Sequence, residues 1–339
     1  MSNNVATAKT DKPNWIPLVN KYQAPSFWRS VWQVVNTFVP FFILCILMYW
    51  SLAFSYWLTL ALALPTAGFL VRIFIIQHDC SHGSFFQSKR ANEIVGCFAS
   101  LFTLTPFHYW RKTHSIHHAS AGNLEHRGIG DVYTMTVREY QNLSAWGRLK
   151  YRLYRHPLIL FGILPLLYFV ISHRLTYGAP KSWKRERASI HWTNVVLGVL
   201  FLGSGLTLGF VPVLLVYLPV LMIASSAGMW LFFVQHQFED AYWADGETWD
   251  YTMAALHGSS YYELPKVLQW FTGNIGFHHI HHLSPRIPNY MLEKCHRENP
   301  LFQDVVVLTL WTSFKTVFLS LWDEERKKLI TFRQIRSVG

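Results

Sequence analysis

Two stretches of this chain carry almost no ionisable side chains, and that restricts its fold more than any other feature. Between Gln33 and Val71 there is no Asp, Glu, Lys, Arg or His, and between Trp192 and Phe238 the one such residue is His236. A helix needs about 20 apolar residues to cross the hydrocarbon of a bilayer, so each stretch is long enough for two crossings joined by a tight turn. The crossings are expected near 34–53, 56–76, 193–209 and 212–235. Fully buried helices of a soluble core are the alternative, and runs of this length disfavour them. Composition agrees, because 51% of residues are hydrophobic and only 14% are charged, where soluble domains carry about a quarter.

Charge sets the orientation. All 30 Lys and Arg lie before, between or after the two apolar stretches, and none falls in the turns near Ala53–Tyr56 and Leu208–Pro212. Positive residues in short flanking loops stay on the cytoplasmic side, so both termini are expected there and the two turns outside. A net charge of +11 fits an anionic inner leaflet. Nucleic acid is the rival partner for a basic chain, but the charge here follows the membrane flanks.

Two shorter apolar segments, 94–107 and 157–172, are expected to be re-entrant or interfacial. The second has 16 residues and basic flanks on both sides, Arg148 to Arg155 before it and Arg174 to Arg187 after it. A crossing would put one flank outside and reverse the side on which His236 lies. The expected fold is therefore an all-α integral membrane protein, with four transmembrane helices in two hairpins beneath a cytoplasmic helical cap. Residues 1–30 read as a cytoplasmic tail without a secretory signal, 31–322 as one membrane domain and 323–339 as a second tail. Cys45, Cys80, Cys97 and Cys295 form no CxxC pair, which points away from disulfides and iron–sulfur clusters.

Chemistry is signalled by histidine. His78 and His82, then His114, His117 and His118, then His278, His281 and His282 repeat one helical spacing. Residues three and four apart share a helix face, so each cluster directs two or three imidazoles one way. A zinc site is complete with about four ligands, so eight converging histidines suffice for two metal ions. His236, alone at the end of the last span, calls for a partner and is the ninth expected ligand. A single histidine at a helix end is usually an ordinary surface residue; three clusters of matching spacing are not. His279 is left out, because one residue from His278 it points about 100° away. Imidazole suits zinc, copper, nickel and iron, the zinc-protease pattern HExxH is absent, and residue type alone leaves the metal open.

The pattern HxxxH, HxxHH, HxxHH resembles the three histidine boxes of the membrane fatty acid desaturases, over about residues 30–310. The segments GNLEHRGIGDVYTMTVREY (122–140), HQFEDAYW (236–243) and HHLSPRIPNY (281–290) are similar to the bacterial acyl-lipid branch near the Δ12 and Δ5 enzymes. The resemblance implies a di-iron centre on His78, His82, His114, His117, His118, His236, His278, His281 and His282. It implies that dioxygen is consumed and a cis double bond is placed in a membrane-lipid acyl chain. No haem-binding HPGG motif is present, so electrons are expected from a separate protein, a ferredoxin or a cytochrome b5-like donor. The location implied is a bacterial inner membrane, with the site on the cytoplasmic face.

Metal-bound histidines commonly donate their second ring nitrogen to a carboxylate or carbonyl. Asp79, Glu125, Asp131, Glu239 and Asp240 lie near the ligands in sequence, and Asn274 precedes His278 by one helical turn. Of these, Asp79, Asp240 and Asn274 are the expected supports, against the plain alternative of solvated polar residues. No Trp or Phe is assigned to substrate. The competing functions are a di-iron hydroxylase or ketolase acting on alkanes or carotenoids, and a histidine-rich membrane metal carrier. A carrier would place ligands within the bilayer, whereas these clusters flank the apolar runs.

Overall fold

The computed structural model describes residues 14–337. The expected crossings form as four helices, Phe27–Ser51, Tyr56–His82, Lys184–Leu208 and Phe210–His236, here spans 1 to 4. Residues 52–55 join spans 1 and 2, and Gly209 alone, at φ 90°, separates spans 3 and 4. Span 2 is the centre of the bundle, with 56% of its most apolar window buried against 17% for span 3. Met48, Ala63, Leu70, Ile73 and Val220 pack inside. Trp28, Trp32, Trp57, Val199 and Leu206 point outward, all more than three-fifths exposed. An apolar exterior of that kind is stable only against lipid, and the chain is an integral membrane protein.

Span 2 continues beyond the apolar run to His82, where Gly83 takes the left-handed conformation (φ 71°) that ends the helix. Span 4 likewise runs to His236. Both therefore deliver histidines to the same end of the bundle.

The two ambiguous apolar segments begin near that end, and the first reaches into the bundle as far as Phe42 and Tyr217. Lys89–Phe102 is a helix whose Gly96 sits against Phe107 and Cys80. Residues 158–174 form a broken helix, a π-type turn at Leu158–Ile163 followed by Leu164–Val170, bent 54° from Ala145–Tyr154. Phe161 meets Trp230 and Phe233 near the His236 end of span 4, and Phe169 meets Phe74 near the His78 end of span 2. Arg174 bonds Asn194 early in span 3. Both ends of the segment thus contact the histidine-side ends of the spans, and it lies across the bundle.

Outside the bundle the described residues are mostly short helices, but they also form five short strands not expected from the sequence: β1 Met135–Thr136, β2 Tyr261–Glu263, β3 Val307–Thr309, β4 Leu319–Asp323 and β5 Lys328–Thr331. They make a three-stranded sheet in the order β1-β4-β5 and a parallel pair β2-β3. The expected tail from 323 begins inside a hairpin, since β4 pairs antiparallel with β5 and Leu321 and Ile330 are fully buried. All five residues of β4 are buried, so the strand lacks the in–out alternation that would reveal it. The expected tail 1–30 is also folded where it is described. Ile16–Asn20 is helical, Val19 is buried, and Tyr22 donates to Glu298 at 2.6 Å. Residues 1–13 lie outside the described residues.

Candidate metal centre

Four helices and their sequence spacings build the site. His78 and His82 come from the last turns of span 2, and His236 from the last residue of span 4. His114, His117 and His118 lie on Phe107–Ser120, and His278, His281 and His282 on the short helix His278–Leu283. Their donor atoms converge in two groups. His78, His82, His114, His118 and His281 form one, and His117, His236, His278 and His282 form the other, with the donors of each group within 4.8 Å of one another. The second and third clusters are each divided between groups. About 100° separates His117 from His118 around their helix, so one helix serves both sides. The groups adjoin where the rings of His118 and His282 stack at 4.1 Å.

Hydrogen bonding decides which ring nitrogens face inward. His236 Nδ1 lies 3.1 Å from the carbonyl oxygen of Gly258, so it carries the proton and Nε2 presents a lone pair. His117 Nδ1 is hydrogen-bonded to the Asp131 carboxylate, which fixes the same tautomer. The two Nε2 atoms nevertheless lie 3.2 Å apart, and His278 Nε2 is 2.9 Å from that of His236. Two lone pairs facing each other at this distance have no hydrogen between them. A cation would turn the contact from repulsive to attractive, so the donor set fits a metal. In the other group, His78 Nδ1 contacts Asp79 Oδ1 at 3.1 Å, again leaving Nε2 free. His82 Nε2 and His282 Nε2 are buried without a hydrogen-bond partner.

Burial is the first cause, and neighbouring imidazoles the second, that hold His114, His118, His278, His281 and His282 well below the usual histidine range. They are neutral at pH 7, the form that binds metal.

Of the carboxylates close to the ligands in sequence, Asp79 and Asp131 touch the histidines. Asp79 also accepts from the Asn289 backbone N–H at 2.7 Å and its amide at 2.8 Å, joining the first cluster to the helix after the third. Asp131 reaches His117 because Gly130, at φ 75°, passes the helix closely; a Cβ there would lie 3.1 Å from both His117 Cβ and the Thr113 carbonyl. Asp240, Glu125 and Glu239 are exposed, and Glu239 pairs with Lys328. Asp240 is corrected accordingly: span 4 ends at His236 and the following turn carries Asp240 away from the site. Asn274 is also corrected. The helix starts only at His278, and Asn274 sits before it at φ 58°, bonding the Asn289 carbonyl at 3.1 Å. It touches Asp79's partner and no histidine. His279 turns away to the Phe302 carbonyl.

Sequence reasoning missed the Gly258 carbonyl, Asn289 and Trp110, whose ring stacks on His114 at 4.4 Å. Asn289 was visible only as part of the PNY segment. A backbone carbonyl leaves no sequence signal at all.

Comparison with known proteins agrees with this architecture. The model of the family described as "Fatty acid desaturase" matches residues 54–312. A Bacillus subtilis (strain 168) protein named "Fatty acid desaturase" is 46% identical over 94% of this chain and 90% of its own length. The "sn-1 oleoyl-lipid 12-desaturase" of Synechocystis is 25% identical over 81% of this chain and 76% of its own. The "sn-2 acyl-lipid omega-3 desaturase (ferredoxin), chloroplastic" of Helianthus annuus is 30% identical over 65% of this chain and 50% of its own. With its histidine clusters gathered at one end of a four-span bundle and a family match across most of its length, the chain belongs to the fatty acid desaturases, membrane oxidoreductases of lipid metabolism.

Proposed function

We propose that this protein introduces a cis double bond into the acyl chain of a membrane lipid, using dioxygen and electrons from a separate donor, at the cytoplasmic face of a bacterial inner membrane. The observation that carries the reading is the pair of histidine groups, whose inward lone pairs fit two cations. The nine histidines would hold two iron ions, His78, His82, His114, His118 and His281 one of them and His117, His236, His278 and His282 the other. Bound there, iron supplies the redox chemistry that no side chain has. The protein contributes placement. Span 2 and span 4 fix three ligands at the membrane edge, Asp131 and the Gly258 carbonyl set tautomers, and burial favours the neutral form of His114, His118, His278, His281 and His282.

Acyl-lipid substrates are supported by the names of the cyanobacterial and plant relatives, and a ferredoxin-like donor by one of them. The charge distribution supports the orientation, because an acidic donor is steered toward the basic face that carries the site. Lipids of cells expressing the chain should be analysed by gas chromatography and mass spectrometry of double-bond adducts. New unsaturated chains at one position are the expected result. Hydroxylated products without new double bonds would move the assignment to a hydroxylase.

A further inference from the structure

A small cavity adjoins the second histidine group. It is lined by His117, His236, Asp131, Gln237, Phe232 and Gly258, among others, with a volume of about 20 Å³. That is close to the minimum that holds one water and far too small for an acyl chain. One wall is built with unusual care.

Gln237 follows His236 directly and is buried. Its side-chain oxygen lies 2.9 Å from Arg155 Nη2 and 3.2 Å from Thr134 Oγ1. A guanidinium only donates, so the amide atom facing Arg155 is the oxygen, and the orientation of the amide is fixed. Its –NH2 group is then left without a protein partner, on a residue that lines the cavity. Arg155 is itself buried, and its hydrogen bonds go to uncharged oxygens: the Tyr133 carbonyl, Thr134, Gln237 and the Leu319 carbonyl. A buried cation whose acceptors are all neutral, and whose Nε has none, is costly, and here it locks one amide in one direction. It also ties that amide to β4, which is why the C-terminal hairpin belongs to the domain.

We propose that this cavity binds one small oxygen ligand, water in the resting protein, with the Gln237 amide nitrogen as donor and Arg155 as the positioning residue behind it. The site gives the second histidine group a place for an exchangeable ligand, in a space too small to admit lipid. Its geometry stands apart from the two-metal reading above, on which its azide test rests.

Azide, a small anionic ligand with an absorption band on ferric iron, is the probe. Titration of the purified holoprotein should show Gln237→Leu binding azide about tenfold more weakly or worse, as loss of one hydrogen bond to a charged ligand predicts, with metal content unchanged. Equal affinity at full metal content overturns the proposal. If Gln237→Leu loses metal, the unsubstituted protein decides. Experimental density within hydrogen-bond distance of the Gln237 amide supports the site, and an empty cavity overturns it. If the unsubstituted protein holds no iron, the two-metal reading fails instead, and the same density still decides this inference.

Discussion

The two histidine groups are neighbours but are held in different ways. The first has five donors, and four of them come as helical pairs four residues apart, His78 with His82 and His114 with His118. Its one carboxylate contact is between His78 and the adjacent Asp79. The second has four donors, and two of them are oriented from loops, His117 by Asp131 and His236 by the Gly258 carbonyl. Helix geometry alone nearly completes the first group. The second depends on segments 122–133 and 237–258 being folded over it, and it is there that the cavity lies. One group has a donor to spare, while the other has space beside it.

Removal of single ligands exposes that contrast most. His236→Ala leaves three donors in the smaller group and should lose one of two metal ions and all desaturation, whereas His82→Ala leaves four in the larger group and should retain both ions, as counted by inductively coupled plasma mass spectrometry. Equal loss in both variants would erase the distinction. Stripping metal should come next in size. Lone pairs left facing at about 3 Å repel, so exhaustive chelation should lower the unfolding temperature of the detergent-solubilised protein well beyond instrument error, and readdition of ferrous iron should restore it. An unchanged melting curve would show that the cap does not depend on metal.

Smaller effects separate the supports of each group. Asp131→Ala should weaken metal retention by about 10–100-fold, the usual cost of losing a partner to a ligand histidine, and should act on the second ion first. Asp79→Asn should cost either metal retention or stability, because its single amide oxygen can accept from His78 or from Asn289 but not from both. Asp240→Asn should change neither metal content nor turnover, since the residue is exposed and apart from the site; a loss of iron would return it to the set of supports.

Much of this was legible in the sequence because the signals were periodic or compositional. Unbroken apolar length located all four spans but not all their ends, since helix continues into polar sequence at Phe27, His82 and Lys184, and the spacing of three and four placed the box histidines on common faces. Even the exclusion of His279 followed from helix geometry, and its ring does turn to Phe302. What stayed hidden depended on contacts between distant segments. Asp240 was expected as a support and Asp131 was not, yet a glycine at positive φ brings Asp131 to a histidine while Asp240 stays exposed. Asn274 lies one turn from His278 by counting, but the helix does not begin early enough. The hairpin at β4 and β5 was concealed because burial on both faces removes alternation. Arg155 read as part of a basic membrane flank, and its place inside the cap emerges only once the chain is folded around Gln237.

Counting iron in protein purified in mild detergent, from cells shown to contain its unsaturated products, tests the paired histidine groups themselves. Two iron ions per chain are expected. One or none, in protein that is folded and active, would contradict a centre built from both groups.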